Sequence, residues 1–458
     1  MRCDCLREVC HNPFQCSTAA IPTVKIVWLN LTPDRIVSKL DVQMTQLPQI
    51  FRVRQNFAGP TVEDIPGEIA DQLAKLSLEQ KIKPGASVAV TAGSRGISNI
   101  PVILKSAIDF LRGLGAEPFL IPTMGSHGGG TAEGQRGVLA SLGVTEETVG
   151  CPIRASMDTV VLTDAPQGFP IHFDRHASEA DHVLVCGRVK PHTGFRGKYQ
   201  SGLLKMLLLG LGKHEGAKTY HRAFVAIGFD EVAESVIPSV LQRGNIVGGL
   251  AILENGYCRT AQITAVPPEE FLTRDPELLK LASSWMAKLP FEQADVLLVD
   301  EIGKHISGTG MDTNIVGRKR YDHCAADNES PKILRIVVRS VKGGNACGIG
   351  MSEFCHTRVV EQADMEMTWI NALTSLHPTA GMLPVSYPTD RETIESALRT
   401  IGMTEPQDAR LLWIKNTSKL ETLACSAAYL DDARGHNDLE ILDEPQPMLF
   451  DDGGNLPI

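Results

Sequence analysis

Three glycine-rich stretches gather side chains that hold carboxylates and move protons. "TAGSRGISNIP" carries Ser94 and Arg95, "TMGSHGGGTAEG" carries His127, and "KPHTGFRGK" carries Lys190 and His192. A guanidinium grips a carboxylate through two parallel hydrogen bonds, and an imidazole exchanges protons near neutral pH. A fourth stretch, "RGKYQSGLLKMLLLGLGKHEGAKTYH", sets Lys205 inside an apolar run, with His221 sixteen positions further on. Two readings of Lys205 stay open on the residues alone. Its stem can lie along apolar surface with the ammonium in water. Alternatively, desolvation lowers its pKa and makes it a nucleophile toward an acyl or carbonyl carbon.

The elements around these stretches bring them together. "ASVAVTA", "AEPFLIPTM" and "DHVLVCGRV" read as strands, and each runs into one of the three polar loops. "IPVILKSAIDFLRGLG" and "TAEGQRGVLASLG" read as the helices between them, the second opened by Thr131 as N-cap. Residues 201–211 read as a helix carrying Lys205, followed by "EVAESVIPSVLQRG" and "GGLAILENG". Strand and helix in alternation predict an α/β fold, a mostly parallel sheet with helices on both faces. Ligands of such sheets bind beyond the carboxyl ends of the strands, where the three loops lie.

"AVPPEEFLTRDPELLKLASSWMAKLP" interrupts the alternation and reads as a helical crossover. A second α/β unit follows, with strands "ADVLLVDEIG", "ILRIVVRSV" and "RLLWIKN" and helices near 361–375 and 391–401. Its long loop "GKHISGTGMDTNIVGRK" offers Asn314 and Arg318 as substrate contacts, with Lys319 beside them. The expected organisation is a disordered extension over 1–43, an α/β domain over 44–265 and a crossover over 266–290. A second α/β domain covers 291–430 and a tail covers 431–458. The active site is expected in the cleft between the two domains.

Bulk properties exclude several classes of function. A net charge of −10 over 458 residues disfavours nucleic acid and anionic membrane surfaces. No apolar run approaches a membrane span. Eleven scattered cysteines suit reduced thiols and a cytoplasmic location. Cys3, Cys5, Cys10 and Cys16 cluster with His11, but without the paired CxxC knuckles of a zinc site. "GSHGGGTAEG" lacks the closing Gly-Lys-Ser/Thr of a phosphate loop and is not a G-x-G-x-x-G fingerprint.

The set "SRG", "MGSHGG", "KPHTGF", "GLLKMLLLGLG" and "TYH" resembles the nickel-pincer-nucleotide isomerases, the lactate racemase-like family. The resemblance runs from about Gly93 to the glycine-rich loop of the second half. It implies that Lys205 forms an amide with a pyridinium-3,5-bisthiocarboxylic acid mononucleotide. His221 would then complete the coordination of nickel, with Gly210 five positions beyond the lysine. It also implies that His127 and His192 are the acid/base pair and that Arg95 holds the substrate carboxylate. Ser94 and Lys190 are expected beside the cofactor. The chain departs from the founding pattern in "SGLL" before the lysine and in Gly93 and Ser94 before the arginine. The second-domain loop differs as well, which places the chain in a divergent branch.

The implied activity is racemisation or epimerisation of a 2-hydroxy acid by reversible hydride transfer. The implied partners are a small hydroxy acid and proteins that build the cofactor. Two other readings compete on the same residues. A nicotinamide-dependent 2-hydroxy acid dehydrogenase would use His127 or His192 as acid/base but has no dinucleotide fingerprint. A binding module of the same fold would not require paired acid/base groups.

Overall fold

The computed structural model describes residues 46–94 and 96–457. The cysteine cluster near the start and Arg95 lie outside the described residues. Two sheets carry the fold, and both are mostly parallel. The first runs in the order Glu117–Pro122, Ser87–Ala92, His182–Arg188, Ile246–Glu254 and Thr260–Val266. Its first four strands are parallel and the last is antiparallel. The second has eight strands, with Gln293–Val299 near its centre, flanked by Lys332–Val338 and Leu411–Ile414.

Side-chain alternation explains why each sheet is covered on both faces. In the first sheet Ala89, Phe119, Val183 and Val185 point into one apolar cluster. Their neighbours Val88, Val90, Leu120 and Leu184 point into another. In the second sheet Leu297 and Val299 face one cluster, and Val296 and Leu298 face the opposite one. Successive residues of a strand face opposite ways, so near-continuous apolar strands demand two covering layers. The α/β class with mostly parallel sheets is therefore as the sequence reads.

The chain path differs from a linear division in two places. The strand Ile50–Gln55 pairs with Thr422–Ser426 and Leu439–Ile441, inside the second sheet. Residues near the start of the described chain thus complete the far unit, which a boundary at 44–265 does not capture. The region after 431 is built in as well. It supplies the edge strand Leu439–Ile441, and the carbonyls of Leu456 and Pro457 accept from Arg339. The helix Phe271–Trp285 follows the last strand of the first sheet.

The expected helix over 201–211 divides in two. Gly202–Lys205 is α-helical, and Met206–Gly210 is a π-turn closed by Leu211 N–H donating to the Met206 carbonyl at 2.8 Å. Such widened turns concentrate at functional sites. After it the helix Lys213–Ile227 begins on Lys213, at φ 53°. This break turns the chain between Lys205 and His221. Among the described residues, no helix is long and apolar enough to cross a membrane.

Candidate active site

Phe195 is the centre of the site. Its ring stacks on His192 at 4.0 Å between centroids, with 10° between planes. The His221 ring centroid lies 6.2 Å from it, and the Lys205 Nζ lies 5.9 Å from it. Phe224 and Phe229 back the ring at 5.2 and 4.6 Å. Three residues singled out by the sequence, His192, Lys205 and His221, thus surround one aromatic side chain. Sequence reasoning passed over Phe195, although it closes the "PHTGF" stretch three positions after His192.

The two histidines of the loops are wired differently. His192 Nδ1 accepts the backbone N–H groups of Gly194 and Phe195, both at 2.9 Å. That uses the Nδ1 lone pair, so the neutral ring carries its proton on Nε2. His127 Nδ1 instead meets the Ser94 hydroxyl at 2.5 Å. The hydroxyl can donate or accept, so this contact is compatible with either tautomer. The Ser94 and His127 loops both reach the Lys205 segment. A Cβ on Gly93 would stand 3.5 Å from Met206 Cε, and one on Gly210 would stand 3.1 Å from Thr123 Cβ.

Lys205 is held by its helix, and that helix is capped from outside. Asp275, on the crossover helix, accepts the N–H groups of Leu203 and Leu204 at 3.2 and 3.3 Å. Gly202 has φ 77°, and a Cβ there would meet Asp275 Oδ1 at 2.3 Å, so the position requires glycine. Burial pushes the Asp275 carboxyl up to about 7, against the pull of those two N–H groups. Nothing in the local sequence signals this cap, because its partner is some seventy positions away.

A second lysine anchors the same region. Lys213 and Asp174 are both fully buried, with Nζ and Oδ2 2.7 Å apart. Lys213 Nζ also donates to the Pro122 carbonyl at 2.5 Å, at the end of the strand that leads to His127. A buried cation is tolerable only with such an ion pair and hydrogen bonds.

The second unit seals the His192 loop. Thr313 Oγ1 donates to the Thr193 carbonyl at 2.6 Å. Asn314 Nδ2 reaches the carbonyls of Pro191 and His192 at 3.5 and 3.4 Å. Lys190 Nζ pairs with Asp312 Oδ2 at 2.9 Å. Burial pushes the Asp312 carboxyl up, but Lys190 and Asn314 together hold it below the usual carboxylate range. Lys319 Nζ donates to Gln200 Oε1 at 2.7 Å, and burial brings its amine down to about 8.

One expectation is corrected. Arg318 does not face a ligand: it is 2% exposed, and its guanidinium pairs with Glu353 at 2.8 Å. It also donates to the carbonyls of Met351, Asp322 and Ile333. Lys319, one residue on, occupies the seam instead. Asn314 and Lys190 reach the site's border through the His192 loop and Asp312 respectively.

The donor set bears on both a bare metal and the pincer nucleotide. Among the described residues no group of three or more His, Cys, Asp or Glu side chains converges as metal ligands. His221 is a single imidazole, and burial followed by the nearby Lys205 ammonium pulls its pKa down, so it is neutral at pH 7. A neutral imidazole suits nickel as one donor. Lys205 supplies one amine, its Nζ 5.9 Å from the Phe195 ring centroid. One amine and one neutral imidazole fit a metal whose remaining donors come with an organic group attached through the amine. They do not make a bare metal centre.

No protein-family profile matches the chain, and no curated protein matches it. Two solved structures share part of its course. The lactate racemase apoprotein of Thermoanaerobacterium thermosaccharolyticum is 12% identical, with a TM-score of 0.49 over 80% of this chain and 94% of that one. A structural-genomics protein from Thermotoga maritima is 14% identical, with a TM-score of 0.44 over 62% of this chain and 72% of that one. Neither likeness assigns an activity.

Proposed function

We propose that the chain is a racemase or epimerase of a 2-hydroxy acid that works with a nickel-pincer nucleotide joined to Lys205. The observation that carries this reading is the convergence of Lys205, neutral His221 and His192 on Phe195. When bound, the group would supply a reversible acceptor for the hydride on the hydroxyl-bearing carbon. Lys205 would hold it as an amide, which carries no ammonium and so is cheaper to bury. His221 would be the protein's donor to nickel.

The proton work falls to the two histidines. His192, with its proton on Nε2, hydrogen-bonds the substrate oxygen on one face; to give that proton up it must first take one on Nδ1, which requires release of the Gly194 and Phe195 N–H groups. His127 takes the hydroxyl proton on the other face when its Nδ1 donates to Ser94, because Nε2 then bears the lone pair. Reversal exchanges the roles, and imidazoles suit this because they titrate near working pH. Arg95 holds the carboxylate. The seam of Thr313, Asn314 and Lys319 over the His192 loop keeps water from a keto acid held between half-reactions.

The test uses holoprotein from a nickel-replete host that makes the cofactor. Single enantiomers of lactate, malate and sugar acids are incubated and resolved by chiral chromatography. Inversion of at least one acid without nicotinamide turnover is expected. Net reduction of a nicotinamide by the same acids would replace this reading with the dehydrogenase.

A further inference from the structure

The second unit carries an apolar surface with no role in the site described above. The helix Met365–Thr374 buries Thr368 and Ala372 on its inner side. Its outer side is also apolar: Trp369, Ile370 and Leu373 are 54, 59 and 62% exposed. Leu376, Met382 and Leu383 extend the same surface at 55, 60 and 46%. Large apolar side chains on the outer face of a helix lack a packing partner there, and monomers rarely expose a continuous apolar patch beyond a few hundred Å².

We infer that this surface is the contact between two copies of the chain, related by a two-fold axis across the helix Met365–Thr374. Three observations select a second copy over other occupants. Residues 365–385 contain two ionisable side chains, Glu366 and His377, and His377 is already paired with Asp322, so the patch offers little complement to a charged partner. No Lys or Arg lies between Arg358 and Arg391, which disfavours an anionic bilayer. The neighbouring edge strand Val385–Tyr387 is bracketed by Pro384 and Pro388, which blunt it against an added peptide strand.

What remains is packing of side chains on a like surface. An isologous contact needs only self-complementarity, and two antiparallel helices supply it. With Met367 and Val385 also exposed, eight large apolar side chains line the surface. At roughly 100 Å² each they provide on the order of 800 Å² per copy, the size of a standard stable interface.

Sedimentation velocity of the full chain between about 1 and 100 μM tests this, since that range brackets a micromolar Kd. The wild type should run at the mass of two copies. Ile370→Glu with Leu373→Glu should weaken the association at least about 100-fold, with an unchanged circular dichroism spectrum because both side chains face outward. If that pair disturbs folding, Leu376→Glu, beyond the helix end, should give the same loss. A wild type that is monomeric throughout would overturn the inference. So would a dimer that both sets of substitutions leave intact.

Discussion

The two α/β units use their charged side chains for different ends. In the second, cations are consumed in closed knots. Arg318 binds Glu353 and several carbonyls, and Arg339 binds Asp300 at 2.5 Å and Asp390 at 2.8 Å while also holding the carbonyls near residue 456. In the first, His192 and His127 sit on glycine-rich loops, and their partners are backbone N–H groups, a hydroxyl and an aromatic face. Paired ions in an interior hold a shape; imidazoles on loops at strand ends can exchange protons with a ligand. A basic residue in a glycine-rich loop therefore has no meaning until its partners are known.

That contrast predicts a large effect in the second unit. Arg318→Ala should cost about 3–5 kcal/mol of stability by leaving Glu353 and several carbonyls without their donor. Urea unfolding measures it. Substrate ranking should not change. A shifted ranking at unchanged stability would return Arg318 to the substrate and break the comparison.

Within the first unit, the two lysines of one stretch sharpen it. Lys213→Ala strands the buried Asp174 carboxylate and should cost a similar about 3–5 kcal/mol. Lys205→Ala, at a half-buried position, should cost less than about 1 kcal/mol while removing all activity. Equal losses of stability from the two would mean that Lys205 is structural.

These differences mark what was legible in the sequence. The strands, the helices flanking them and the loops after strand ends could be read, because alternation and capping are local. Lys205, His221 and His192, singled out by the resemblance, stand around Phe195. Arg318 was misread because Glu353, thirty-five positions away, decides its role. The strand Ile50–Gln55 was assigned to the wrong unit for the same reason, since its partners lie beyond residue 420. Asp275 and Phe195 were missed. Asp275 acts across the fold, and Phe195 is indistinguishable by local pattern from any other loop aromatic.

A pH-dependent effect concerns Asp275. Its folded pKa of about 7 lies above the ordinary carboxyl value of 3.8. Between those values the folded chain keeps a proton that the unfolded chain has lost. The group's stabilising contribution is thus full at low pH and declines as pH rises toward 7. Asp275→Asn should flatten that decline in unfolding experiments from pH 4 to pH 8. An unaltered slope would mean that the carboxyl titrates normally and that the cap on the Lys205 helix is not proton-linked.

The central claim is that Lys205 is a covalent tether. Intact mass spectrometry of protein from a nickel-replete, cofactor-producing host tests it most directly. The account predicts an added nucleotide mass that maps by peptide analysis to Lys205 and is absent from Lys205→Ala. An adduct that persists in Lys205→Ala, or active protein carrying no adduct, would contradict it.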